Sequence, residues 1–459
     1  MRYRSPISRL TQVAAIGSVA LGVAATPAAA ESLQEAWAKA YSTNPSIAAE
    51  RARLRAVDEG LPEAKSGWRP TVTLSGDAGV RYTDQEVNNV GDSSTNTPVT
   101  LTGQVTQPLY RGGRTVADTQ RAKADVFAGR ASLANVEQQV LLSVGTSYMD
   151  VLRDQAVVEL NENNVRVLDR QLQATRDRFS VGEVTRTDVA QAESRLARSE
   201  ADLQTAIGNL ETSRAAYARQ VGEPPQGLVT PSRVEGTPEN LQAATTLAAS
   251  SNPVVLQAVY QHESASHVVR LIEGELYPTV NLNGVAQQTF ESSQSVDEST
   301  TLQALVDVTV PLYQSGSVYA RVRSAKQSRS QALQNVEDAR RQAIEAATQA
   351  WEQLVATRAR IVSLGSEIRA NEIALEGVQQ EALVGTRTVL DILDAEQDLL
   401  DSRVNLVTAH RDEFVAVFNL VAAVGGLTAE GLALEAPRYD PKAYYEAVKN
   451  QWFGAEPNN

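Results

Sequence analysis

No cysteine occurs anywhere in the chain. That excludes a disulfide framework, a cysteine nucleophile and a thiolate metal site, and with them the acylated cysteine of a bacterial lipoprotein. Aromatic residues are scarce, at 5%, while Ala, Gln, Arg, Glu and Leu abound; such a composition suits long packed helices better than a compact globular core. Basic charge is in deficit. The formal net charge is −13, which excludes the basic footprint of a nucleic-acid binder. His262 and His267 lie five apart, not the four that aligns a helical metal pair, and neither a phosphate loop nor a nucleophile is present. No cofactor, no metal and no enzymatic activity are expected. Beyond the N-terminus no run reaches eighteen consecutive apolar residues, so a helical membrane span is absent. If the mature chain crosses a membrane, it does so as β-strands.

What is present begins with a leader. Arg2, Arg4 and Arg9 precede an apolar stretch over 11–25, and Ala28-Ala29-Ala30 precedes Glu31. This reads as a secretory signal peptide over residues 1–30, its apolar core too short to span. Its removal takes the three arginines and moves the charge from −13 to −16.

The mature chain is an internal duplication. Asn44-Pro45 recurs as Asn252-Pro253, and Pro70-Thr71-Val72 as Pro278-Thr279-Val280, both 208 residues on. Pro108-Leu109-Tyr110 recurs as Pro311-Leu312-Tyr313, Val181-Gly182 as Val384-Gly385 and Val221-Gly222 as Val424-Gly425, all 203 residues on. The unit is far longer than a solenoid repeat. The change in offset falls between residues 72 and 107, which the sequence reads as two strands around a polar loop, TDQEVNNVGDSSTNTP.

Each copy carries two alternating segments, the hairpins 71–108 and 279–311. Val72, Leu74, Ala78, Val80 and Tyr82 oppose Thr73, Ser75, Asp77 and Arg81, and Val99, Leu101 and Val105 oppose Thr100, Thr102, Gln104 and Thr106. In the second copy Val280, Leu282 and Ala286 oppose Asn281, Asn283 and Gln287; Leu302, Ala304, Val306 and Val308 oppose Gln303, Asp307 and Thr309; Val285 and Leu305 break the pattern. Strands of about ten residues suit a tilted bilayer crossing with a wet lumen. The alternation alone fits a soluble sheet with one buried face equally well; the leader and the lack of a helical span favour a barrel. Four strands cannot close a membrane barrel, and open edges cannot face lipid. Two copies give eight strands, filled by side chains; three give twelve, enough for a lumen.

Each hairpin is followed by a very long helical segment and a second helix, the pairs covering 113–221 and 316–424. Between 316 and 381 no proline occurs, and an apolar 3–4 spacing from Leu333 to Val378 reads as a coiled coil. At 1.5 Å per residue the long helices reach about 100 Å.

At this point the chain resembles the TolC family of outer-membrane efflux and secretion channel proteins. The carriers are the duplicated Pro-Thr-Val and Pro-Leu-Tyr strand ends, Arg178-Phe179-Ser180-Val181-Gly182, and the run from Val384-Gly385-Thr386-Arg387 through Asp391-Ile392-Leu393-Asp394-Ala395. The resemblance implies an α+β membrane protein: a homotrimer whose 12-stranded outer-membrane barrel, four strands per protomer, continues into a long antiparallel coiled-coil α-helical periplasmic barrel. It implies two repeats, 31–221 and 252–424, with 222–251 and 425–459 forming an equatorial band and tail. Its partners would be outer-membrane lipid, a periplasmic adaptor (membrane fusion) protein and an inner-membrane ABC or proton-driven exporter. The tips that would meet the adaptor are Val181, Gly182, Val384, Gly385 and Thr386. Asp391 and Asp394 would ring the periplasmic entrance, and Asp188 with Arg387 would latch it; the tyrosine of the family network falls at Ala382, a departure from that pattern. Only the second tip has both carboxylates, since Asp391, Asp394 and Arg387 correspond to Asp188, Gln191 and Val184. The expected function is an exit duct for efflux or type I secretion. The competing reading is a periplasmic coiled-coil scaffold or adaptor without a pore.

Overall fold

The computed structural model describes residues 31–87, 90–232, 236–293 and 296–456; the expected leader, 1–30, lies outside the described residues. Three short helices, α1 (Leu33–Thr43), α2 (Pro45–Asp58) and α3 (Gly60–Ser66), lead into strands β1 (Thr71–Ala78), β2 (Arg81–Val87), β3 (Val90–Asn96) and β4 (Val99–Arg111). The helical hairpin α4 (Arg114–Ser180) and α5 (Arg186–Val221) follows. The second copy repeats the order: α6 (Leu241–Ser251), α7 (Pro253–Glu273), β5 (Thr279–Ser293), β6 (Val296–Thr309), α8 (Ser317–Leu383) and α9 (Val389–Ala423), with a short α10 (Ala443–Val448) in the tail.

α4 and α8 have 67 residues each, hence a length of about 100 Å. The partner helices are half as long, and the Asn-Pro pairs explain how they are extended. Asn44 caps α2 by accepting from the Ser46 amide (2.9 Å), Pro45 supplies a preset first-turn φ, and the Asn44 side-chain amide donates to the Gln220 carbonyl at the end of α5 (3.0 Å). Asn252 does the same between α7 and α9, donating to the Ala423 carbonyl (2.9 Å). Each splice satisfies a carbonyl left over at a helix end and sets one helix on another, α2 on α5 and α7 on α9.

The main apolar core gathers around these splices. Trp37 donates its indole N–H to the Leu141 carbonyl (2.8 Å), and its ring meets Phe418 edge-on at 5.6 Å. Both rings lie against Gly145, where a Cβ would come within 2.9 Å of Phe418. Tyr148 donates to the Glu31 carbonyl (2.8 Å), and its oxygen accepts from the Val229 amide (3.0 Å). The equatorial residues Leu427, Leu432 and Leu434 complete this core, and α6 gives the 222–251 segment a helix.

The sheet is antiparallel in the order β1-β4-β5-β6. The run TDQEVNNVGDSSTNTP, expected as a loop, instead contributes most of the paired strands β2 and β3, with Tyr82 opposite Thr95 and Asp84 opposite Ser93. β5 and β6 likewise run to 15 and 14 residues, past the expected ten. Backbone pairing needs no apolar side chain, so a strand with two wetted faces carries no alternation to read.

Candidate functional site

The register puts like with like. Val72 opposes Val105, Ala78 opposes Val99, and Gly103 opposes Ala286; Ala286 in turn opposes Leu302, Leu282 opposes Val306, and Val280 opposes Val308. These pairs share one face and make it mainly apolar, with Gln107 near one end and the bonded Gln288 and Thr300 near the other. Thr73 with Gln104, Thr102 with Gln287 and Asn281 with Asp307 occupy the other; Val285 and Leu305 fall on that polar face, the exceptions seen in the sequence. Every residue of β1 and β6 is exposed in the protomer, with Leu74 at 75% and Leu302 at 79%. A soluble sheet would bury this face; here the protomer does not. Aromatics flank it. Tyr110 pairs with Val280 and Phe290 with Val99, ten residues apart along β5. That is about 33 Å of strand, or about 25 Å of height at a 40° tilt, the spacing of the aromatic girdles of an outer-membrane barrel.

The far ends of the helical hairpins are two near-identical turns. Gly182 and Gly385 both have φ of +82°, the left-handed conformation that stops a helix and that glycine adopts without a Cβ clash. The Glu183 amide donates to the Arg178 carbonyl (2.9 Å), and the Thr386 amide to the Glu381 carbonyl (3.0 Å). Beside each glycine sits an exposed valine, Val181 or Val384. The following helices start with capping boxes: Thr185 with Asp188, and Thr388 with Asp391.

These boxes set the roles of the predicted carboxylates. Asp188 accepts from the Thr185 amide and hydroxyl, both at 2.8 Å. Asp391 accepts from the Thr388 amide (2.8 Å) and hydroxyl (2.7 Å). The backbone bond first, then the hydroxyl and Arg387, hold the Asp391 carboxyl below its ordinary range. Arg387 binds Glu381 (2.9 Å) and reaches Asp391 at 3.8 Å; within one protomer it is not joined to Asp188. Asp394 pairs with Arg195 of α5. So Asp391 and Asp394 point to different partners, one local and one in the other hairpin. Ala382 is buried with Leu375, Ile392 and Leu399.

Arg195 is the residue that sequence reasoning missed. The signal was there: at the 203-residue offset Arg195 corresponds to Asp398 and Gln191 to Asp394, so the copies diverge toward opposite charge where they touch. Apolar contact reinforces the bridge, with Val389 and Leu393 of the second hairpin buried against Leu168, Leu172 and Ala192 of the first.

The outer membrane efflux protein family matches this chain twice, over residues 37–223 and 245–426. The chain belongs to that family. The outer membrane efflux protein BepC of Brucella suis is 35% identical over 444 residues, covering 95% of this chain and 94% of the relative. The outer membrane protein TolC of Escherichia coli is 24% identical over 419 residues, 88% of this chain and 84% of TolC. The solved structure of VceC from Vibrio cholerae, described as an outer membrane protein, superposes with a TM-score of 0.74 at 20% identity, over 86% of this chain and 96% of that one. The protomer fold is thus that of an outer-membrane channel, a short strand region on a long helical body, and membership of the family places the chain in the outer membrane.

Proposed function

We propose that three copies assemble into an exit duct for efflux or type I secretion. The observation that carries this is the sheet: a single layer with one mainly apolar face, one polar face and two edges, β1 and β6. Edges cannot face lipid, so β6 of one copy would pair with β1 of the next, and twelve strands would enclose a polar lumen. The helical hairpins would continue that lumen through the periplasm, and cleavage of the leader near Glu31 would deliver the chain there. The two repeats, 31–221 and 252–424, would supply equivalent staves, with 222–251 and 425–459 around their middle.

The hairpin tips would be both gate and docking end. Val181, Gly182, Val384, Gly385 and Thr386 form the exposed turn surface that a periplasmic adaptor would grip on behalf of an inner-membrane exporter. Asp188 and Arg387 would meet across protomers, while Asp391 and Asp394 would surround the opening. Membrane fractionation tests the duct: a heat-resistant trimer in the outer membrane that conducts in planar bilayers supports it. A soluble monomer, as a periplasmic scaffold would be, refutes it.

A further inference from the structure

The C-terminal tail climbs the outside of α2 and α3 toward the strands. Tyr439 donates its amide to the Tyr41 hydroxyl (3.1 Å), Tyr444 donates its hydroxyl to Glu59 (2.7 Å), and Tyr445 lies 5.2 Å from the Arg130 guanidinium. Lys65 then donates to the Lys449 carbonyl (2.8 Å) and to the Asn450 side chain (2.9 Å), and the Arg69 guanidinium lies 4.7 Å from the centre of the Trp452 ring. Arg69 stands two residues before β1, and Gln107 of β4 donates to the Trp68 carbonyl (2.8 Å). Trp452 is therefore level with the lower aromatic girdle, where Trp68, Tyr110 and Tyr277 are exposed.

This end is aromatic and open. Trp452 and Phe453 remain 57% and 86% exposed, beside a cleft of about 690 Å³ that they line with Arg55, Glu59, Arg69 and Tyr444. The charges around it are mixed: Arg55 and Arg69 stand among Glu59, Glu63 and Glu456, and Lys449 is paired with Glu446. Burial first, then Lys123, Lys449 and Arg69, lower the pKa of Lys65, with Glu446 opposing.

We propose that residues 449–456 are a foot resting on the periplasmic leaflet of the outer membrane, with Trp452 and Phe453 in the interface and Arg69, stacked on Trp452, facing the phospholipid phosphates. An exposed Trp at the headgroup level, continuous with the aromatic girdle of the strands, is the signature of interfacial attachment. The foot does for the cysteine-free chain what an acylated N-terminus does for a lipoprotein, pinning the helical body to the leaflet that its strands cross. This rests on the outer-membrane duct reading.

Because the chain has no native cysteine, one introduced thiol is a unique label. Bimane is attached to the full mature protein at Phe453→Cys, at Leu74→Cys on the apolar strand face, or at Glu435→Cys in the equatorial band. Each trimer is reconstituted in vesicles with and without brominated phosphatidylcholine. The expected result is loss of most of the emission at 453 and 74 and none at 435. Quenching at 74 with none at 453 overturns the foot and leaves the duct standing. Absence of quenching at 74 overturns the duct, and the foot with it.

Discussion

Individual side chains at the tips divide into those that shape a helix and those that join two. Asp188 and Asp391 shape; in each, one carboxylate oxygen takes both bonds from the threonine before it. Arg195 and Asp394 join. A half-exposed pair of this kind is worth about 0.2–1 kcal/mol, little enough to part if the proposed gate opens there. Arg195→Ala should raise trimer conductance in planar bilayers, and Arg195→Asp combined with Asp394→Arg should bring it back; failure of the swap would remove the bridge from the gate. Under the same measurement, Asp188→Asn with Arg387→Ala should leak if those residues meet across protomers, and unchanged current would dismiss that latch. Elsewhere Asp58 is fully buried, and neither of its oxygens has a hydrogen-bond partner among the described residues. Burial first, and Glu59 less, push its carboxyl up to about 6 against the pull of Arg130. A raised carboxyl pKa means the folded state holds the proton more tightly, so stability falls as pH rises from about 4 to about 6. Asp58→Asn should flatten that slope and increase hydrogen-exchange protection of α2 at pH 7, by on the order of 3 kcal/mol at most. Of these residues the sequence exposed Asp188, Arg387, Asp391 and Asp394, because motifs display types and spacings. It hid Arg195 and Asp58, whose roles come from what the fold brings beside them.

Elements were legible in proportion to how much they bury. The long helices fell within a few residues of their expected limits, since Gly182 and Gly385 mark the stops and an apolar 3–4 stripe marks the body. The strand limits were legible only where one face is apolar; the alternation read through Tyr82 runs across the break between β1 and β2 at Gly79-Val80, and past Tyr82 and Phe290 the sequence is indistinguishable from loop. The Asn-Pro pairs were visible as a repeat, but their second bond, to Gln220 and Ala423, joins residues more than 170 positions away and leaves no local trace. Helix starts are the most testable element feature. Thr388→Ala removes the cap of α9 and should cost about 1 kcal/mol, read as faster amide exchange over residues 389–392 with the middle of α9 unchanged. Acid should act in the same direction: Asp391 has a lowered pKa, so its share of the cap is present near neutrality and is lost as pH falls through that value. Equal exchange in Thr388→Ala and the parent would show that tip packing alone holds the helix start.

For the whole molecule, the two faces of the sheet make opposite predictions from neighbouring residues. Leu302 opposes Ala286, midway between the aromatic girdles, so Leu302→Arg places a charge at the bilayer midplane for about 2–4 kcal/mol per copy. It should deplete heat-resistant trimer from outer membranes. Gln303→Lys, one residue along and facing the lumen, should leave trimer yield alone and shift ion selectivity toward anions. If both variants insert equally, the apolar face does not meet lipid. The splices at Asn44 and Asn252 also have a mechanical meaning. α4 and α8 pass the equator as unbroken rods, while their partners are two pieces butted together through a side-chain amide. Such a stave is stiff along its axis and compliant in bending at the joint. Below the joint α5 has 36 residues, a lever of about 54 Å; a tilt of about 5° at the equator would swing its tip by about 5 Å. Arg195 stands about 39 Å below the joint and would move by about 3 Å, enough to part its contact with Asp394, so a small flexure at the equator would loosen the tips of the proposed duct.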